Sequence, residues 1–143
     1  MLPQPDLNAR KVLVVDDEES LVDLLSTRLS MAGYAVLTAT DGFEAIRALK
    51  DHRPHAMILD INMPGLDGFG VLEHMRKPGN HKPPTLVLTA RHNAQDVEKA
   101  IRLGAKDYLA KPFDDRMLLS RVARLVRSPV DRVALPPGDL MDV

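Results

Sequence analysis

KVLVVDD, residues 11–17, is the stretch that decides the fold of this chain. After its first lysine the stretch is a continuous apolar run dominated by β-branched valine. A run of this kind indicates a strand that is buried on both faces of a sheet. It stops abruptly at two carboxylates, Asp16 and Asp17. The chain is therefore expected to contain a helix-covered sheet with acidic residues where its first strand ends.

Composition limits the possible function classes. The 143 residues suffice for one domain with a real core, and 45% of them are apolar and 27% charged, as in soluble globular proteins. Nineteen basic residues against 20 acidic ones give no field that would draw the chain onto nucleic acid or an anionic membrane. Cysteine is absent, which excludes disulfides and thiolate metal sites. No apolar segment resembles a signal peptide or a membrane span, so a cytoplasmic setting is expected.

Strand and helix patterns alternate along the rest of the sequence. Further strands are predicted at residues 34–40, 55–59, 85–88 and 107–110. Two helices are predicted to run through residues 21–29 and 45–49, and three more to span about 67–77, 94–103 and 113–127. Five βα units in tandem predict an open parallel sheet covered by helices on both faces. Prolines and a glycine after residue 127 remove regular structure. We therefore expect an N-terminal extension at 1–9, one domain at 10–127 and a Pro-containing linker or tail at 128–143.

Polar residues stand where four of these strands end. Asp16 and Asp17 end the first strand, Asp60 the third and Thr89 the fourth, and Lys111 follows the fifth. In open parallel sheets, ligands bind outside the carboxyl ends of the strands. The five side chains are therefore expected to converge on one edge of the sheet.

The chemistry of such a set points to phosphoryl transfer. Three carboxylates in one small site cannot all stay ionised unless cations join them. Lys111 supplies one positive charge, and the oxygen ligands suit Mg²⁺ for the rest. A carboxylate beside Mg²⁺ and a lysine is a competent nucleophile for a phosphoryl group, and the Thr89 hydroxyl can donate to a phosphoryl oxygen. A cis peptide bond between Lys111 and Pro112 would aim the lysine back into the site.

Each residue also has an ordinary structural explanation. Asp16 or Asp17 could cap the first helix, and Asp60 could be a turn residue. Thr89 could be a plain strand residue or a helix cap, and Lys111 could belong to a loop that starts a helix. Taken together, these explanations need four independent accidents at one sheet edge, so we favour the functional interpretation.

Four motifs resemble the receiver domain of response regulators in two-component signalling, over about residues 10–127. They are Val12-Leu-Val-Val-Asp16-Asp17, Met57-Ile-Leu-Asp60-Ile-Asn-Met-Pro64-Gly65, Leu88-Thr89-Ala90 and Lys106-Asp-Tyr108-Leu-Ala-Lys111-Pro112-Phe113. The resemblance implies a three-layer, flavodoxin-like (βα)5 fold with strand order 2-1-3-4-5. It implies that Asp60 is the phosphoacceptor and Lys111 the phosphoryl-binding lysine.

The resemblance also implies a metal site and a switch. Mg²⁺ would be held by Asp17, Asp60 and the main-chain carbonyl of Asn62, with Asp16 in support. Thr89 and Tyr108 would form the switch pair. Once Asp60 is phosphorylated, Thr89 would move towards the phosphoryl group and Tyr108 would rotate inward, changing the surface of the fourth helix, fifth strand and fifth helix.

Partners and assembly follow from the same resemblance. The phosphoryl donor would be a sensor histidine kinase or a phosphotransfer protein. The chain would catalyse its own phosphorylation and dephosphorylation, but act mainly as a switch. Asp107 and Arg121 match positions that pair across a dimer in the family's winged-helix transcription factors. Because other charges on that face depart from the pattern, we expect a monomer or a weak, phosphorylation-dependent dimer, without membrane or direct nucleic-acid binding.

Two residues are expected to flank the phosphoryl group, Asn62 two positions after Asp60 and Arg91 two positions after Thr89. Arg91 could cover the phosphoryl group and slow its loss, or it could simply face solvent at the start of a loop.

Three other functions compete with that of a phosphorylated receiver. A flavin-binding carrier needs a phosphate loop after its first strand, where this chain has acids. An aspartyl-phosphate hydrolase needs a second aspartate two residues after its nucleophile, where this chain has Glu18 after Asp16 and Asn62 after Asp60. A degenerate receiver that only binds proteins is disfavoured by the intact acid set. The output is not readable, and both a single-domain regulator and a piece of a longer protein fit the sequence.

Overall fold

A computed structural model describes residues 9–91 and 93–127. The expected tail at 128–143 and all but the last residue of the expected extension at 1–9 lie outside these described residues. The elements run in strict alternation: β1 Lys11–Val15, α1 Glu19–Met31, β2 Ala35–Ala39, α2 Gly42–His52, β3 Ala56–Leu59, α3 Gly68–Met75, β4 Thr85–Thr89, α4 Ala94–Arg102, β5 Asp107–Ala110 and α5 Asp115–Val126.

The five strands form one parallel sheet in the order β2-β1-β3-β4-β5. This confirms the predicted fold class and strand order. The central strands β1, β3 and β4 are buried almost throughout, as their continuous apolar runs require. From β1 the chain continues to β2 on one side of the sheet, and from β3 it continues to β4 on the other side. The strand order therefore reverses between the neighbouring strands β1 and β3. The carboxyl ends of β1 and β3 therefore lie next to each other.

Alternate side chains of each strand pack into two separate hydrophobic cores, because successive side chains of a strand point to opposite faces of the sheet. Leu13, Met57 and Val87 pack with α2, α3 and α4 on one face. Val12 and Ile58 pack with α1 and α5 on the other. The result is the predicted three-layer arrangement of helices on both sides of the sheet.

The helix starts differ from the prediction at two places, each for the same reason. We predicted helices from residues 67 and 113, but α3 begins at Gly68 and α5 at Asp115. Asp67 and Asp114 stand just outside as caps, and their carboxylates accept backbone N–H groups of the first turn. At the other end, α3 stops at Met75, two residues before the predicted end. The two aspartates that the sequence placed inside these helices are therefore their N-caps.

The first helix is followed closely by a glycine. Ala32 is the C-cap of α1, and Gly33 follows with φ +98°, a left-handed conformation that costs glycine little. Within the part of the chain described here, no helix combines the length and apolarity needed to cross a bilayer.

Candidate functional site

The sheet itself positions the two central carboxylates. The backbone N–H of Asp16 donates to the Ala39 carbonyl at 3.2 Å, and that of Asp60 donates to the Val15 carbonyl at 2.9 Å. Each aspartate is thus the first residue past its strand and still hydrogen-bonded to the neighbouring one. Only 2% of Asp16 and 4% of Asp60 is exposed.

Three carboxylates and one lysine meet at this edge. Carboxylate oxygens of Asp16, Asp17 and Asp60 all lie within 4.8 Å of one another, and Asp17 is the exposed member. Lys111 Nζ approaches Asp16 Oδ2 to 2.7 Å and Asp60 Oδ2 to 3.8 Å. The structure therefore brings together residues that come from three separate stretches of sequence.

The two buried carboxylates differ in how firmly their oxygens are held. Asp16 accepts a hydrogen bond from the Glu18 backbone N–H at 2.9 Å in addition to its short contact with Lys111. Asp60 accepts a long hydrogen bond from the Asn62 N–H, at 3.4 Å, and the neighbouring Thr89 side chain also helps to lower the pKa of Asp60. Its oxygens are much less tightly engaged than those of Asp16.

Burial raises the pKa of Asp60 above its ordinary value. The charge of Asp16 raises this pKa further, while Lys111, the Asn62 N–H and Thr89 lower it. The site therefore disfavours the ionised form of the Asp60 carboxylate, and any added cation would favour that form.

Thr89 and Lys111 are linked through the ends of β4 and β5. Thr89 is fully buried, and its carbonyl accepts the Lys111 backbone N–H at 3.0 Å. Its hydroxyl accepts the Arg91 N–H at 3.2 Å. The peptide bond between Lys111 and Pro112 is cis. Neither first-strand aspartate caps α1, whose N-cap is Glu18, and α4 is capped by Asn93 rather than by Thr89.

Gly68 makes a close approach that the sequence analysis missed. A Cβ on Gly68 would lie 2.7 Å from Ile61 Cα and still closer to the Asp60 carbonyl oxygen. The Gly68 N–H donates to the Ile61 carbonyl at 2.9 Å. Only glycine lets the first turn of α3 pack directly against the backbone at Asp60. The sequence signal was a glycine immediately after a capping aspartate, Asp67.

Comparisons with known proteins agree with this geometry. The family model described as "Response regulator receiver domain" matches residues 12–123. The chain belongs to the response regulator receiver family. The "Probable transcriptional regulator ycf27" of Cyanophora paradoxa is 43% identical over 85% of this receiver and 50% of its own length. The "Alkaline phosphatase synthesis transcriptional regulatory protein PhoP" of Bacillus subtilis is 39% identical over 92% of this receiver and 53% of its own length.

A solved structure gives the same result. The chemotaxis protein CheY4 of Vibrio cholerae superposes with a TM-score of 0.77 at 36% identity, covering 82% of this receiver and 98% of that chain. The receiver thus matches almost all of CheY4, whereas it spans about half the length of the curated relatives named above.

Tyr108 of the receiver already points its hydroxyl inward. The hydroxyl oxygen is buried and has no hydrogen-bond partner among the described residues. The ring packs against the core shared by α2, α3 and α4. Burial raises the pKa of Tyr108, and the nearby charge of Asp96 raises it further. Tyr108 therefore already has, in this structure, the inward position that the sequence analysis expected it to adopt on phosphorylation.

The two residues expected at a dimer interface contact each other within the chain. Arg121 Nη1 lies 2.6 Å from Asp107 Oδ1, which also accepts the Tyr108 N–H. Pairing across two receivers would require these side chains to exchange an internal partner for an external one.

The donor set fits a hard divalent cation. All three side chains of the acidic cluster offer carboxylate oxygens, the ligand type that Mg²⁺ prefers. Their formal charge of three negatives exceeds the single positive charge of Lys111, so a divalent ion would neutralise the remainder. No histidine or sulfur ligand belongs to this cluster of described residues.

Proposed function

We propose that the receiver accepts a phosphoryl group on Asp60, in a Mg²⁺-dependent reaction, from a sensor histidine kinase or a phosphotransfer protein. The observation that supports this assignment most directly is the unequal engagement of the two buried carboxylates. Each carboxylate oxygen of Asp16 has one close partner, at 2.7 Å for Oδ2 and 2.9 Å for Oδ1. Asp60 has contacts of 3.4 Å or more to Asn62 and Lys111, so its lone pairs are available for a new bond.

The reaction would form an oxygen–phosphorus bond at Asp60 as the nitrogen–phosphorus bond of a phosphohistidine breaks. The electron pair of the broken bond returns to the donor imidazole, which takes up a proton. Lys111 would stabilise negative charge on the transferring group, and the Thr89 hydroxyl would donate to one of its oxygens. Both residues adjoin Asp60 in the structure.

Asp17, Asp60 and the Asn62 main-chain carbonyl would hold the metal ion, and Asp16 would support them. The ion would supply charge neutralisation for the carboxylates and for the phosphoryl oxygens. Asp16 would meanwhile fix Lys111 through their 2.7 Å ion pair. Lys111 is thereby kept at the site without blocking Asp60.

Signalling would proceed through the surface formed by α4, β5 and α5. We propose that Thr89 and Tyr108 couple Asp60 to this surface. The curated relatives PhoP and ycf27 are named as transcriptional regulators and extend well beyond the matched region, which supports an output domain or partner in transcription. We place the receiver at residues 10–127, the flanking segments at 1–9 and 128–143, and the protein in the cytoplasm.

Incubation with acetyl phosphate, followed by intact-protein mass spectrometry, tests the assignment. We expect a phosphoryl adduct on the wild type with Mg²⁺, none after EDTA treatment and none on Asp60→Asn. Asp23→Asn, which removes an exposed carboxylate from α1, is the matched control and should be phosphorylated normally.

A full adduct on the Asn variant would show that Asp60 is not the acceptor. A wild type that takes up no phosphoryl group from acetyl phosphate or phosphoramidate would instead support the alternative, a degenerate receiver that acts as a phosphorylation-independent protein-binding module.

A further inference from the structure

A second charged cluster lies beside the Asp60 pocket, at the start of α4. Its centre is Asp96, a carboxylate in the first turn of the helix that is only 8% exposed. Arg91 Nε approaches Asp96 Oδ2 to 2.9 Å, and Arg91 Nη2 approaches Asp96 Oδ1 to 3.2 Å. The planar guanidinium is therefore held by two parallel hydrogen bonds, which fix its orientation as well as its position.

The third nitrogen of the guanidinium reaches towards the phosphorylation site. Arg91 Nη1 donates to the side-chain oxygen of Asn62 at 3.4 Å. The backbone N–H of the same asparagine contacts Asp60 Oδ1. A continuous chain of contacts thus runs from Asp96 through Arg91 and Asn62 to Asp60.

Further contacts keep this arrangement in place. Asn93 and Asp96 cap each other, because the Asp96 N–H donates to Asn93 Oδ1 at 2.9 Å and Asn93 Nδ2 donates to Asp96 Oδ2 at 3.0 Å. The guanidinium carbon of Arg91 stands 5.9 Å from the centre of the Phe69 ring on α3. Arg91 therefore contacts α4, α3 and the segment after β3, through Asp96, Phe69 and Asn62. These contacts hold it although 41% of its side chain is exposed.

We infer that Asp96 is a positioning residue, which holds Arg91 beside Asn62 so that the guanidinium covers the phosphoryl group on Asp60 and slows its hydrolysis. This inference rests on the proposed function. An unrestrained arginine has many rotamers, and ordering it costs free energy that the buried carboxylate offsets. A guanidinium offers only donors, so it can neutralise phosphoryl oxygens but cannot act as the base that activates an attacking water.

The reaction that Asp96 controls is the attack of water on phosphorus. The water oxygen forms a new bond to phosphorus, the bond from phosphorus to Asp60 breaks, and inorganic phosphate leaves with the carboxylate restored. Covering one side of the phosphoryl group restricts the in-line approach of water. Because Asp96 belongs to α4, the lifetime of the phosphoryl group is tied to the position of a helix on the proposed signalling surface.

Phosphoryl half-lives, measured after removal of acetyl phosphate, test the inference. We expect Asp96→Asn, Arg91→Lys and Arg91→Ala each to shorten the half-life about threefold to tenfold, which corresponds to the coupling usual for contacting charged residues. Arg91→Lys keeps the reciprocal cap of α4 but cannot make both contacts to Asp96. Glu98→Gln, an exposed charge on the same helix, is the control and should decay like the wild type.

Two outcomes would overturn the inference. If Asp96→Asn leaves the half-life unchanged, Asp96 does not position the Arg91 guanidinium over the phosphoryl group. If Asp96→Asn shortens the half-life further in an Arg91→Ala background, Asp96 does not act through Arg91. Melting curves of each variant identify any change caused by loss of folding.

An independent measurement separates this inference from the proposed function. In the unphosphorylated protein, the side-chain amide resonances of Asn62 should shift alike in Asp96→Asn and Arg91→Ala and stay in place in Glu98→Gln. Unshifted resonances in Asp96→Asn would contradict the positioning role. If the wild type takes up no phosphoryl group, the proposed function fails, and these resonances alone decide whether Asp96 positions Arg91.

Discussion

Replacing Asp60 by asparagine should stabilise the unphosphorylated receiver in metal-free buffer at pH 7. The carboxylate is nearly fully buried, and it faces Asp16 within 4.8 Å and Lys111 at 3.8 Å. With an effective dielectric constant of about 20, repulsion from Asp16 costs at least about 3.5 kcal/mol and attraction to Lys111 contributes about 4.4 kcal/mol. These two effects nearly cancel, so the cost of burying the charge decides the sign.

The burial cost of one ion is several kcal/mol, and the hydrogen bonds from Asn62 and Thr89 offset only part of it. An asparagine has the same shape, carries no charge and can donate to Asp16. We therefore expect Asp60→Asn to raise the free energy of unfolding by about 1–2 kcal/mol. For a domain of this size that corresponds to a melting temperature about 3–8 °C higher.

The difference between the two proteins should depend on pH. The folded-state pKa of Asp60 is raised above its ordinary value of 3.8, so the folded protein binds a proton more readily than the unfolded chain. Between these two pKa values, stability falls as pH rises. The advantage of Asp60→Asn should therefore be small near pH 3.8, grow as pH rises through the folded-state pKa, and stay constant above it.

Thermal unfolding in EDTA, followed by circular dichroism from pH 4 to 8, measures this difference. Adding Mg²⁺ at ten times its dissociation constant should restore about 1.4 kcal/mol to the wild type and much less to the variant. Asp23→Asn should match the wild type throughout. An Asp60→Asn protein that is less stable than the wild type at pH 7 in EDTA, or whose advantage shrinks as pH rises, would refute the reasoning.

Two further predictions concern metal binding and assembly. Asp17→Ala should remove most Mg²⁺ binding measured by calorimetry, and it should slightly raise the metal-free melting temperature by relieving repulsion; binding as tight as in the wild type would contradict its role as a ligand. In sedimentation, the receiver should be monomeric without phosphodonor and at most weakly dimeric with it, because Asp107 and Arg121 already pair internally; a tight dimer of the unphosphorylated protein would contradict this.

Much of the architecture was readable from the sequence because the central strands are buried on both faces. Their continuous apolar runs mark β1, β3 and β4 without ambiguity, and the tandem alternation with helices requires a parallel sheet. The order of the strands came from family resemblance, since local patterns do not determine it. Helix starts were less accurate because a capping aspartate such as Asp114 continues the polar pattern of the first turn.

The residues at the sheet edge were predictable as a set because a topological rule places them there. The contact between Arg91 and Asp96 was not predictable in this way, since it depends on where the end of β4 and the start of α4 place these two side chains. A local signal was present, an asparagine at position 93 with an acid three residues later, which is the spacing of a reciprocal helix cap. The close approach at Gly68 required the packing of α3 against Asp60 to be known.

The charge balance of the site connects metal binding, phosphorylation and Arg91. Three carboxylates and Lys111 sum to two negative charges, which a divalent ion would neutralise. The proposed phosphorylation would replace the single charge of Asp60 by about two on the phosphoryl group, so one further negative charge would appear. Lys111 is already committed to Asp16 at 2.7 Å, whereas the Asn62 contact of Arg91 is long, at 3.4 Å, and is the easier one to exchange. Arg91 would therefore supply a second positive charge beside that of Lys111, and the role inferred for Asp96 is to hold Arg91 in place.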